Sequence, residues 1–242
     1  MNTDKKQALS VHLKAIRRML IVSVASVAVL FVLFFYLLCG PLVDFVLAPV
    51  RARGIEVITT SVSEALMMQF KVCLIAAVIA GMPVIIWQVW IFVAPALYPQ
   101  EKRLFAALFF VALLLFVGGV VFCYCLVFPM AIDLFWSAAD GVASTLWSVK
   151  EYFNFVLSFV LPFGLMFELP VVVYMLARRG LVTYQKLAHS RKYVILVIAI
   201  IAAILTPPDA VSQCMLAIPM ILLYEVAAQL ARLVKPKKPA EA

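Results

Sequence analysis

Along the chain, long uninterrupted apolar runs alternate with short polar segments, and neither the 3.6-residue nor the two-residue period of a soluble element dominates. A bilayer-crossing helix needs about 20 mostly apolar residues. Six segments meet or approach that length: 19–38, 66–93, 104–128, 152–177, 193–205 and 210–230. Gly40-Pro41 closes the first, Lys71 and Pro83 lie in the second, and Glu168 lies in the fourth. The first run is too long and wrongly placed for a cleaved signal peptide, and no small-residue cleavage pattern follows it. The pattern predicts an all-α polytopic membrane protein: six transmembrane helices in a single membrane domain over 1–242.

The fifth and sixth helices are expected to be short. Val194–Leu205 offers only 12 apolar residues, about 18 Å of helix against a hydrocarbon core of about 30 Å. That hairpin is either recessed from the outer face or met by a thinned bilayer. Its tip, Thr206-Pro207-Pro208-Asp209, cannot continue a helix, because each proline lacks an N–H and constrains its predecessor. Asp209 is placed to cap the sixth helix, and a recessed polar tip would open a wet hollow in the membrane.

Composition agrees with lipid as the solvent. The chain is 67% hydrophobic and 13% charged, against about 45–50% and 25% in soluble domains. Its net charge of +8 comes from bases in the short polar segments. Sixteen of the 20 lysines and arginines lie before the first span, in 94–103, in 178–192 or in the tail, against three in the opposite loops. The positive-inside rule therefore puts both termini in the cytoplasm. It accounts for the basicity better than nucleic-acid binding does, since no basic stretch is interleaved with aromatics. The loops 39–65 and 129–151 become periplasmic caps, with Leu42–Val50 a candidate amphipathic helix and Pro49 and Arg51-Ala52-Arg53-Gly54 marking turns. The basic tail, 233–242, is expected to be disordered.

Few residues suggest chemistry. Glu168 lies nine residues before Ala177, about 13 Å into the membrane along its helix, where an ionisable group marks a functional site unless it is neutral and hydrogen-bonded between helices. Pro170 frees a carbonyl in the preceding turn, and Gln213 is a candidate partner for Glu168. Glu225, with Gln229 and Arg232 beyond it, reads as a satisfied or snorkelling side chain, as does Lys71. Glu64 follows Thr59, Thr60, Ser61 and Ser63 in a capping region. Glu101 is the acid closest to the bundle on the basic face, either neutralised by its neighbours or a socket for a visiting cation. Five cysteines (39, 73, 123, 125 and 214) read as small core hydrophobes without metal spacing, and no metal or cofactor is expected. His12 and His189 are both in polar segments, no aspartate pair lies in the spans and no P-loop is present, so an enzyme is not expected.

Four blocks resemble the C-subunit family of the twin-arginine protein translocase. They are His12-Leu13 with Arg17; Pro83 to Trp90 leading into Ala94-Pro95-Ala96-Leu97-Tyr98 and Glu101; Phe167-Glu168-Leu169-Pro170; and Thr206-Pro207-Pro208-Asp209 with Ser212-Gln213 and Ala217-Ile218-Pro219. The likeness covers residues 8–232. It implies an inner-membrane receptor for signal peptides bearing consecutive arginines, the core of a complex that exports folded proteins on the proton-motive force. It further implies that Glu101 contacts the arginine pair, with Arg17, Lys102 and Arg103 in the same cytoplasmic region. A cupped, glove-like face around Glu168 and Gln213 would receive single-span subunits of the TatA and TatB type in an oligomeric complex. Pro49, Glu64, Thr206, Pro207, Pro208 and Asp209 would be structural or functional positions on the periplasmic side. One position departs from the family: where its His-Leu-x-Glu-Leu-Arg stretch carries an acid, this chain has Ala15. The alternatives are an ion- or proton-coupled solute transporter using Glu168, for which no repeated half-bundle is apparent, and a structural scaffold.

Overall fold

The computed structural model describes residues 2–93, 102–139, 146–206 and 209–234. They form helices α1 (Asn2–Leu37), α2 (Cys39–Arg51) and α3 (Val62–Val93), then α4 (Lys102–Phe122), which runs through a wide π turn at Cys123–Val127 into α5 (Phe128–Ala139). α6 (Val149–Phe167), α7 (Leu169–Arg178), α8 (Tyr184–Leu205) and α9 (Ala210–Leu233) follow. Two two-residue strands, β1 (Val57–Ile58) and β2 (Trp147–Ser148), complete the described elements. Among the described residues six segments are long and apolar enough to cross a membrane, and of these the fifth and sixth, at 22 and 24 residues, are the shortest. Residues 235–242 of the expected disordered tail, and Pro207 and Pro208 of the hairpin tip, lie outside the described residues.

The spans match the apolar runs, but the helices overrun them. α1 has 36 residues, about 54 Å at 1.5 Å per residue, so it carries its polar start well beyond a core of about 30 Å. α8 begins at Tyr184, nine residues before the apolar run, with Thr183 as its N-cap, the hydroxyl accepting from Lys186 N. The third span, expected to end at Phe128, stays helical to Ala139. The Phe128 N–H reaches back to the Cys123 carbonyl, a widened turn directly ahead of Pro129, whose ring and missing N–H would disrupt an ordinary α-helical turn. α2 replaces much of the first cap loop, as the amphipathic stretch 42–50 predicts.

The chain divides into two compact units. In the first, residues 1–47 and 61–113, α1 packs along α3. Gly81 permits the approach, since a Cβ there would lie 3.3 Å from Val27, the small-residue packing that membrane helices favour. Phe31 and Phe35 stack on Phe70 at 5.9 and 4.8 Å between centroids. No residue of the most apolar stretch of α1 is buried, so Val24, Val29 and Val32 present their side chains to lipid.

The second unit, residues 48–60 and 114–242, is built around α6. Phe116, Phe128, Phe153, Phe159 and Phe163 are fully buried. Two glycines let α4 and α6 meet: a Cβ at Gly119 would lie 2.8 Å from the Phe163 carbonyl, and one at Gly164 would lie 2.6 Å from the Phe116 ring. A Cβ at neighbouring Gly118 would meet nothing within 4 Å. Gly164→Val is therefore expected to cost about 1–3 kcal/mol through overpacking and lower the thermal midpoint in detergent, while Gly118→Ala leaves it unchanged. Equal midpoints for the two variants would contradict this packing.

The cap segments of this unit are tied together. Val57 and Ile58 pair in parallel with Trp147 and Ser148. Arg53 grips Asp133 with two N–H···O bonds, 2.6 and 3.1 Å, and donates a third to the Pro49 carbonyl at 2.9 Å. The Asp133 bond holds the guanidinium above its usual pKa. Gly54, at φ 69°, supplies the left-handed turn after Arg53.

Candidate functional site

Three groups of polar side chains stand out, one at each end of the second unit and one inside it. The innermost is Glu168. It is the single residue between α6 and α7, at φ −75° and ψ −20°. Pro170, the second residue of α7, has no N–H to offer the preceding turn. The backbone adjusts locally: Glu168 N donates to the Leu165 carbonyl at 3.1 Å, and the Glu168 carbonyl accepts from Val171 N and Val172 N. The break comes from the proline, and it sets the glutamate at a bend. In the turn before it, Phe163 and Phe167 pack on the Phe122 ring, at 5.8 and 5.7 Å between centroids. Below the bend α7 packs on α9 through Val173, Ala177, Ala227 and Ala231, small residues that bring the helices close.

Oε1 of Glu168 is buried and has no hydrogen-bond partner among the described residues. An acid in hydrocarbon without a partner costs several kcal/mol, so Oε1 is a polar atom whose donor the described residues do not supply. Gln213 does not supply it: its Nε2 donates to the Ala199 carbonyl at 3.1 Å, joining α9 to α8. Glu168 and Gln213 are thus not brought together as partners, because the amide is engaged within its own hairpin.

That hairpin is closed by the expected residues. Thr206 is buried and bonds the Ala202 carbonyl through both its N–H and its hydroxyl, at 2.9 and 2.8 Å. Asp209 caps α9, one carboxylate oxygen accepting from Ser212 N at 2.7 Å and the other from the Ser212 hydroxyl. In the first unit, Glu64 sits in the first turn of α3, as the capping reading requires.

At the far end of α8 and α9, Arg191 bonds Glu225 at 2.5 Å and Gln229 donates to the same carboxylate oxygen at 3.2 Å. The guanidinium groups of Arg191 and Arg232 lie 5.9 and 5.8 Å from the Tyr184 ring centre, within cation–π range. Glu225 is therefore a satisfied structural residue. Its partner Arg191 stands 34 positions earlier, a separation that no helical spacing reveals.

Of the residues expected to meet a leader peptide, Arg17 is exposed on α1, and Lys102 and Arg103 form the start of α4. Glu101, with 94–100, lies outside the described residues. The Arg53–Asp133 clamp and the β1–β2 pair escaped the sequence reading. Arg53 and Asp133 are opposite charges in the two cap segments, but several other charges share those segments, so composition alone did not single the pair out.

Among the described residues, six apolar segments of spanning length, one of them broken at the half-buried Glu168, make this a multi-pass α-helical membrane protein. The family model of the Sec-independent protein translocase protein TatC matches residues 11–219, and the chain belongs to that family. It is 38% identical over 236 residues to TatC of Carboxydothermus hydrogenoformans, covering 97% of both chains. It is 36% identical to TatC of Haemophilus influenzae, over 98% of this chain and 93% of that one. A crystal structure of the twin arginine translocase receptor TatC superposes with a TM-score of 0.86 at 36% identity, over 92% of this chain and 98% of that one. The chain is accordingly a subunit of the Sec-independent translocase, working in protein transport with other components of that system as a multi-pass inner-membrane protein. These matches do not favour the ion-coupled transporter.

Proposed function

We propose that this subunit is the signal-peptide receptor and assembly core of the translocase, a binding protein and not an enzyme. In this reading both termini are cytoplasmic, and Glu101 receives the paired arginines of a leader beside Arg17, Lys102 and Arg103. Single-span subunits of the TatA and TatB type dock at Glu168, and folded precursors are exported on the proton-motive force. The observation that carries the reading is the superposition on a receptor of this class across 92% of the chain. The distribution of bases supports the topology, with 16 of 20 on one side.

The physics of recognition follows from the charges. A guanidinium presents a planar fork that one carboxylate accepts bidentately, which an ammonium cannot reproduce. An exposed pair is worth only about 0.2–1 kcal/mol, too little to select a cargo, whereas a charge-assisted bond shielded from water reaches about 1.5–3 kcal/mol. Lys102 and Arg103 adjoin Glu101, so a leader must displace nearby cations, and the bidentate fork does this best. The leader's apolar stretch supplies most of the affinity, and the arginines supply selection. With Ala15 where relatives of the family carry an acid, the second guanidinium needs a different acceptor, a backbone carbonyl or a partner chain. The test is competition: a leader with both arginines changed to lysine is expected to displace a labelled paired-arginine leader at least tenfold less well. Equal displacement rejects the reading.

A further inference from the structure

Three ends of membrane-crossing segments converge in the second unit: the third segment ends at Ala138, the fourth begins at Val149 and the sixth begins at Ala210. Among them lies a cavity of about 240 Å³, walled by Phe135, Trp147, Tyr152 and Phe155, with Glu151 and Asp209 also in its lining. Local structure explains how these residues meet. Pairing of Trp147 and Ser148 with Val57 and Ile58 fixes the approach to α6. Ser148 then caps that helix, its hydroxyl accepting from Glu151 N at 3.5 Å. The Tyr152 ring lies 6.2 Å from that of Trp147, and Phe155 meets Phe135 edge to face at 5.6 Å. Asp209 is held by its bonds to Ser212, yet a carboxylate has lone pairs for about four donors and can accept more.

We propose that this cavity binds the ammonium head of a zwitterionic phospholipid of the phosphatidylethanolamine kind. Its volume is below the roughly 300–1,000 Å³ of pockets for drug-sized ligands, which suits a small head group better than a whole solute. The charges around it select the sign of the ligand. No lysine or arginine is among the described lining residues, and Arg53 of the same unit is committed to Asp133 and the Pro49 carbonyl. The N-termini of α6 and α9 each contribute about half a positive charge against two carboxylates. The net of about −1 is enough for one cation and unfavourable for a phosphate. The rings add attraction, because an aromatic face draws a cation, tryptophan most strongly. Aromatic residues at a bilayer boundary ordinarily anchor a helix by facing lipid, a role that does not require four rings and two acids to share one cavity. The converging segment ends put that cavity at the water–lipid boundary, where phospholipid heads lie.

The test uses the full-length subunit purified in a neutral detergent, with bound lipid measured by native mass spectrometry. Phosphatidylethanolamine and phosphatidylglycerol with identical tails are compared, so that the heads alone differ. Glu151→Gln, at an exposed position, and Trp147→Leu are each expected to weaken phosphatidylethanolamine binding about two- to fivefold and to leave phosphatidylglycerol binding unchanged. Glu151→Asp, which keeps the charge, is expected to bind more phosphatidylethanolamine than Glu151→Gln does. Asp209 is left in place because it also caps α9. Equal losses of both lipids would mark a fault of folding or tail packing and overturn the proposal. Unchanged phosphatidylethanolamine binding by Glu151→Gln, or an effect confined to free ethanolamine added as a soluble probe, overturns it as well. No leader or partner subunit enters the experiment, so its failure and that of the receptor reading are separate results.

Discussion

Changing Glu101 to glutamine is expected to lower the affinity of a paired-arginine leader by about 10- to 150-fold, the equivalent of roughly 1.5–3 kcal/mol for a shielded charge-assisted bond. Glutamine keeps the size of the side chain and one carbonyl acceptor, and loses only the charge and the second acceptor oxygen. In the sequence Glu101 falls between the apolar runs 66–93 and 104–128, so the substitution leaves the hydrophobic signal for insertion intact. The measurement pairs leader affinity of the reconstituted subunit with protease mapping of its loops. Lost binding with six spans inserted is the expected pattern, and unchanged binding would remove Glu101 from the site.

The second large effect is expected at Glu168. If a partner helix supplies the missing donor, removing the carboxyl costs the assembly one interhelical hydrogen bond, about 0.6–2 kcal/mol. Glu168→Ala should then reduce co-purification of the single-span subunits about 3- to 30-fold. The isolated subunit should be no less stable, because Oε1 has no partner among its described residues and truncation removes a desolvation cost. Glu168→Gln separates hydrogen bonding from charge: retained partners indicate that a neutral acceptor suffices. A destabilised subunit with undiminished partner binding would show that Glu168 serves the fold instead.

The parts of the fold governed by one strong local rule were legible in the sequence. Apolar length gave the six spans, and Asp209 gave the cap of α9. Pro170 signalled a freed carbonyl in the preceding turn, but not that the span would split there into α6 and α7. What escaped depends on residues far apart. The Arg53–Asp133 clamp spans 80 positions and the Arg191–Glu225 pair spans 34, and neither has a spacing that local periodicity can register. The extension to Ala139 escaped because proline usually ends a helix, whereas a π turn ahead of Pro129 absorbs it. Pairing Gln213 with Glu168 failed for a related reason: the amide found a nearer acceptor, the carbonyl of Ala199 in its own hairpin.

The most direct test places a photoreactive amino acid at position 101 and adds a radiolabelled precursor to inner-membrane vesicles. A covalent adduct joining position 101 to the arginine pair of the leader, lost when both arginines are lysine, is the expected result. Adducts that form equally with the lysine leader, or that never reach this part of the leader, would contradict recognition of a guanidinium pair at this carboxylate.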